Sequence, residues 1–312
     1  MVAIAQLAEH RIVVPSVVGS SPTSHPKDDF GRLFLFYYCV FQKKVVPLRV
    51  FSMLIKMIVR AIRKMVSVFV MAVLMLSLQS FTVVIDAGHG GHDAGAVGLS
   101  YGTKEKDLNL NVAKGLAAMI KEAYPEVNVM LTRDTDVFLP LQKRADIVNK
   151  CKDDKKLFIS IHTNAAENRK ACGAETFILG TERMEDNLDV AMRENAVMKL
   201  EQDQTVYQGF DNSIESYIMF ELMQHDYMDN SLIFAEKVQN EFVGTLKRAN
   251  RGVRQAAFWV LLQSACPGVL IEIGFISNEE EEKWLASKAG QQGIVKSIFD
   301  AFGMYYNENK NK

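Results

Sequence analysis

The stretch "FTVVIDAGHGGHDAGA", residues 81–96, decides how this chain is read. Its first half is apolar and β-branched, the composition of a strand buried on both faces. From position 85 onward, twelve residues hold two histidines, two aspartates and four glycines. A strand running into such a loop is where open α/β sheets gather their ligands. Glycines after a strand first suggest a phosphate cradle. That needs G-x-G-x-x-G opening a helix, or a P-loop lysine with Ser/Thr, and the loop offers neither. A turn that demands positive φ, or a surface histidine, are the plain alternatives for His89 and His92.

Working outward, short apolar or β-branched runs recur as "VNVMLT", "LFISIH", "AETFIL", "AFWVLL" and "VLIEIG". Helical spacing lies between them, at 107–124 and 232–246. Strands alternating with helices imply an α/β fold, a single mixed, mostly parallel sheet with helices on both faces. One folded domain is expected over about 81–307. Residues 181–230, rich in Met, Asn, Gln and acids and carrying "SIESYIMFELMQH", read as a helical insertion between two sheet strands.

Two further strand ends carry chemistry. "LFISIHTNA" places His162 at the end of one and "VLIEIGFISN" places Glu272 within another, so strand ends distant in sequence can converge on one site. Imidazole and carboxylate form a normal zinc set, and a catalytic zinc keeps three protein ligands with one position open. Glu105, opening "EKDLNLNVAKGLAAMI", is a candidate third ligand, and equally a first-turn acid favoured by the helix dipole. His92 competes, but both imidazoles would have to fold onto one ion across two glycines, so it ranks as a supporting or surface residue.

The whole chain has net charge -1, but residues 81–312 carry 34 acidic against 26 basic side chains. An acidic body without a basic stripe excludes nucleic acid as a partner. Cys39, Cys151, Cys172 and Cys266 show neither CxxC nor paired metal spacing and read as buried free thiols. Basic residues around Arg60, Arg63 and Lys64 precede the apolar run "MVSVFVMAVLMLSLQS", so 53–80 reads as a secretory signal peptide, with a retained anchor as the alternative. Residues 5–26 resemble the peptide obtained when a tRNA gene is translated. This makes 1–52 a mis-annotated or disordered extension, with the true start at Met53, Met57 or Met65.

"VVIDAGHGGHDAGAVG", "EKDLNLNVA", "LTRDTDVFLPLQKRADIVN", "SIHTNAAENRKACGAETFIL" and "PGVLIEIGFISNEEEEKWL" resemble, in order, the motifs of the zinc-dependent N-acetylmuramoyl-L-alanine amidases of the division-amidase type. The resemblance implies Zn2+ held by His89, Glu105 and His162, with Glu272 as the catalytic glutamate. It implies a peptidoglycan substrate, cut between N-acetylmuramic acid and L-alanine in wall remodelling or daughter-cell separation, and the signal-like segment adds the expectation of an exported, periplasmic or envelope-associated enzyme. The family's first motif usually has proline where Ala87 stands and a non-ligand residue at His92. It assigns no role to Arg133 or Arg144, which read as structural salt bridges, with substrate contact as the alternative. Some members carry a helical segment that covers the zinc until a protein activator displaces it. Residues 212–225 could be such a lid, with Glu215 or Glu221 toward the metal, or an ordinary amphipathic helix. A non-catalytic wall-binding protein that kept the fold, and a zinc peptidase cutting within the stem peptide, are the competing readings.

Overall fold

Alternation along a handful of strands sorts this fold into two covered faces. The computed structural model describes residues 48–76, 81–180, 185–207 and 214–310, in two compact units, 1–77 and 78–312. In the first unit, helix α1 (Leu48–Leu76) has no acid in its first turn and exposes Met57, Ile58, Met65 and Phe69. No helix among the described residues is long and apolar enough to cross a membrane. Most of the 1–52 extension lies outside the described residues.

The second unit holds β1 (Phe81–Ala87), α2 (Glu105–Ala123), β2 (Val127–Leu131), α3 (Leu141–Lys150), β3 (Lys155–Asn164) and β4 (Ala174–Leu179). There follow α4 (Glu185–Asn195), α5 (Ile214–Gly244), β5 (Asn250–Ala256), α6 (Trp259–Leu262), β6 (Gly268–Phe275), α7 (Glu279–Ala286) and α8 (Lys288–Asn309). The strands form one six-stranded sheet in the order β2-β1-β3-β6-β4-β5. Every neighbouring pair is parallel except β4 with β6, so the expected mixed, mostly parallel sheet is the one observed.

Side chains on a strand alternate between faces. Val83, Ile85, Leu157, Ile159, Val269 and Ile271 therefore enter one core with residues of α2, α5 and α8. Val84, Phe158, Phe177 and Leu270 enter the other with residues of α3, α4 and α6. Burying each such side chain contributes roughly 1.5–3 kcal/mol. The same alternation sends Asp86, Ser160, His162 and Glu272 to the second face. There they lie toward the carboxyl ends of β1, β3 and β6.

Two expectations fail locally. "AFWVLL" is not a strand: the N–H groups of Leu261 and Leu262 both return to the Phe258 carbonyl, forming α6. Trp259 to Leu262 are buried all round, and such a run has no period that separates strand from helix. The strand beside it is the polar "NRGVRQA" of β5, where Gly252 takes φ 87°. Of the thiols, Cys266 is buried and Cys172 exposed, with no disulfide at either. Between β4 and β5 the described residues are largely helical, as expected of the insertion, and α5 runs beyond position 230. Its Phe234, Val238 and Phe242 join the first core.

Candidate metal centre

His89 follows β1 with φ 61°, a left-handed conformation uncommon outside glycine. Two buried arginines hold the backbone there. Arg144 donates to Asp86 Oδ1 at 2.7 Å, to the Ala87 carbonyl at 2.7 Å and to the His89 carbonyl at 2.8 Å. Arg133 donates to the carbonyls of Ala87 and Gly88, both at 2.9 Å, and of Lys106 at 2.8 Å. Arg144 thus makes the structural salt bridge expected of it. Arg133 instead holds main-chain carbonyls, a use that no sequence pattern announces. Two glycines are required by close approach: a Cβ on Gly88 would lie 2.4 Å from the His162 ring, and one on Gly95 2.6 Å from Glu105 Oε2.

Glu105 is the first residue of α2, and the loop before it is anchored from a distant helix. Glu282 of α7 accepts the N–H groups of Ser100, Tyr101 and Thr103. Glu105 is itself oriented by the N–H of Ala96 on Oε2 at 2.8 Å and that of Thr163 on Oε1 at 2.9 Å. His162 and Glu272 are register partners on β3 and β6.

Four side chains converge. His89 Nε2 lies 3.2 Å from Glu105 Oε1 and 3.0 Å from Glu194 Oε2, while His162 Nδ1 lies 3.2 Å and 2.8 Å from the same two oxygens. One ligand atom from each residue falls within 4.8 Å of all the others, and all four residues are buried. Yet His89 Nε2 and Glu194 Oε2 have no hydrogen-bond partner among the described residues. Buried polar atoms left in that state are costly unless something else satisfies them. A cation held by two imidazoles and two carboxylates would do so, and this donor set fits zinc. Asp93 Oδ2, 2.8 Å from His89 Nδ1, fixes the ring from behind, as carboxylates do for metal-bound histidines.

Glu272 is fully buried beside this cluster, neither of its oxygens hydrogen-bonded among the described residues. Burial, then the charge of Glu194, push its carboxyl well above the usual carboxylate range against the pull of Arg193, whose Nη2 is 3.9 Å away. Burial disfavours charge on His162, but Glu194 and Glu105 prevail and raise it to about 9. His92 lies exposed against Phe138, ring centroids 4.0 Å apart.

The residue that sequence reasoning missed is Glu194, at the end of α4. Its one signal is its place: an acid in the last turn of a helix opposes the macrodipole, and so calls for a partner elsewhere. Glu215 and Glu221 fall on α5, and their side chains lie outside the described residues.

The model of one protein family, N-acetylmuramoyl-L-alanine amidase, matches residues 83–303. The chain belongs to this family. AmiC of Escherichia coli O6:H1 is 35% identical over 230 residues, covering 72% of this amidase and 52% of that protein. AmiA of Escherichia coli K12 is 34% identical over 226 residues, 72% of this chain and 75% of its own. The amidase thus spans about half the length of the first relative and three quarters of the second. Among solved structures, an N-acetylmuramoyl-L-alanine amidase from Clostridium difficile 630 superposes with TM-score 0.56 at 27% identity, covering 74% of this chain and 99% of that one. AmiC2 of Nostoc punctiforme gives TM-score 0.54 at 28% identity, covering 73% and 97%.

Proposed function

We propose that this amidase is zinc-dependent and cuts the amide between N-acetylmuramic acid and L-alanine of peptidoglycan stem peptides. It would do so outside the cytoplasm, in wall remodelling or daughter-cell separation. The observation that carries the reading is the convergence of His89, Glu105, His162 and Glu194 on one point, with His89 Nε2 and Glu194 Oε2 given no hydrogen-bond partner among the described residues. The three ligands expected from the motifs, His89, Glu105 and His162, would hold the ion. When bound, zinc supplies Lewis-acid polarisation of the amide carbonyl and lowers the pKa of a coordinated water toward about 7.

Glu272 does the proton work. Its carboxylate takes a proton from the attacking water, whose oxygen bonds to the carbonyl carbon. It then returns that proton to the amide nitrogen as the C–N bond breaks, releasing the L-alanine amine. Burial and nearby acids raise its affinity for protons, which suits a group that must accept one and give it back. Asp93 and Asn109 orient His89 and Glu105, respectively, and Arg133 and Arg144 keep the loop rigid.

Glu194 gives the same reading a regulatory side. With zinc bound, its carboxylate would take up the position that a catalytic site leaves for water, and its neighbour Arg193 donates to the Ala165 carbonyl and to the Asn164 side-chain oxygen beside Glu272. In this reading α4, rather than residues 212–225, is the plug, and a protein activator must move it. A relative, the CwlD amidase of Clostridioides difficile, was solved in complex with the GerS lipoprotein. A partner for this amidase is in keeping with that precedent.

The test uses the full chain, zinc and purified peptidoglycan, with mass analysis of soluble products, for wild type, Glu194→Ala and Glu272→Ala. Intact stem peptides beginning with L-alanine are expected, more from Glu194→Ala than from wild type and none from Glu272→Ala. Peptides cut internally would replace the amidase reading with a peptidase one. A Glu194→Ala chain that folds, binds zinc and releases nothing would overturn the catalytic assignment.

A further inference from the structure

Beyond Glu272, on the side away from the histidines, the sheet continues through β4 to its edge strand β5. Glu175 of β4 is the register partner of Glu272 and shares its face, fully buried. Two arginines of β5 converge on that one carboxylate: Arg251 Nε lies 3.1 Å and Arg254 Nε 3.3 Å from Glu175 Oε2. Residues three apart on a regular strand point to opposite faces. Here the β4–β5 register shifts between Ala174 and Thr176, and Gly252 takes φ 87° in open space. This bulge re-aims Arg251 onto the site face, the use to which bulges beside functional sites are commonly put.

The pair is more than a neutral salt bridge. Two guanidiniums share one buried carboxylate, so the cluster holds an excess positive charge, with the arginine side chains 28% and 19% exposed. Arg251 lies over the Phe275 ring at 4.7 Å and among the described residues hydrogen-bonds only through Nε. Among the described residues its terminal nitrogens have no hydrogen-bond partner. Arg254 gives Nη1 to the side-chain oxygen of Asn187, on α4, at 2.9 Å. The helix that sets Glu194 against the histidines therefore also sets an oxygen against this arginine.

We infer that Arg251 and Arg254 form a carboxylate-binding subsite for the stem peptide, setting specificity for an anionic residue beyond the cut bond. The inference rests on the amidase reading and adds direction to it. Glu272 must reach the leaving nitrogen to protonate it, so the peptide departs on the β6 side of the histidine cluster, toward β4 and β5. Neighbouring strands are about 4.8 Å apart and an extended chain advances about 3.3 Å per residue. The subsite therefore meets the second or third residue of the stem. An arginine pair on a rigid strand matches a carboxylate in charge and in fork geometry. Asn187 would be the oxygen that a substrate carboxylate replaces.

The experiment measures KM and kcat of the zinc-loaded full chain, in a Glu194→Ala background, on two soluble muramyl tripeptides. One carries free carboxylates on its second and third residues, and in the other these are amidated. Arg251→Gln/Arg254→Gln is compared with the same pair plus Glu175→Gln, which avoids leaving a buried carboxylate unpaired. Loss of a charge-assisted contact should raise KM for the free acid about 10-fold or more, with kcat nearly unchanged. The amidated substrate should begin with that high KM and not respond to the substitutions. Equal KM changes for both substrates, or none for either, in variants that retain zinc and the parent Tm, would overturn the subsite and leave the amidase reading standing. No turnover of either substrate, with no stem peptide released from peptidoglycan, would sink the amidase reading and this inference with it.

Discussion

At the scale of single residues, the site is built from groups whose surroundings leave them few alternatives. His89 is held in left-handed backbone by carbonyl contacts from Arg144 and in ring orientation by Asp93. Removing the carboxylate with Asp93→Ala should lower zinc affinity about 10- to 100-fold, read by competition with a chromophoric chelator, because the ring loses its fixed tautomer. Asp86 is a second case. Burial opposes its ionisation, but Arg144, Thr132 and His162 outweigh that, and its pKa falls below the ordinary 3.8. A depressed carboxyl contributes stability at pH values above its unfolded pKa and loses that contribution as pH falls through the folded one. Wild type should therefore lose stability steeply below about pH 4 in urea titrations. Asp86→Asn should cost about 3–5 kcal/mol at neutral pH, because it strands buried Arg144, and should flatten that acid limb. An unchanged limb would remove Asp86 from the explanation.

Elements act here by delivering residues rather than by supplying chemistry. The loop between β1 and α2 is anchored from a distance by Glu282, on a helix near the C-terminal end, which collects three of its N–H groups. Replacing that carboxylate with an amide, Glu282→Gln, removes one acceptor. It should cost about 1–3 kcal/mol in chemical denaturation, with weaker zinc binding as Glu105 loses its anchored approach. Helix α4 shows the opposite economy, since nothing in its sequence resembles a motif, yet Asn187, Arg193 and Glu194 each touch a different part of the site. Loosening the hold of α4 on the site should be measurable: substitution of Glu194 by alanine is expected to increase hydrolysis several-fold while making zinc easier to remove. An activity decrease with zinc retained would show that Glu194 works in the reaction and does not block it.

For the whole molecule, a metal that binds only the folded chain adds to its stability in proportion to the logarithm of its concentration over Kd. At about 100 times Kd this is about 2.7 kcal/mol. For a domain of this size chelation should lower Tm by roughly 5–10 °C, with recovery on zinc addition and no response in His89→Ala/His162→Ala. The mixed sheet with both faces covered was legible because β1, β3 and β6 are apolar enough to be strands buried on both sides. "AFWVLL" misled because an apolar run buried all round carries no period, and β5 was hidden by its arginines and glycine. His89, Glu105, His162 and Glu272 could be named as candidates because they stand at strand ends or a helix start, within ordered motifs whose family resemblance suggests their roles.

Local sequence determined what its own neighbours enforce: five of the six strands, the helix opened by Glu105, the glycine turn at His89 and the acids and imidazoles that strand ends present. Tertiary structure alone decided which distant groups meet. Glu194 joins the histidines, Arg251 joins Arg254 on Glu175, and Glu282 holds a loop more than 170 positions away. The reason is physical. Hydrophobic period and turn chemistry act over a few residues, whereas a buried charge finds its partner wherever the packed sheet and helices bring one within about 3 Å.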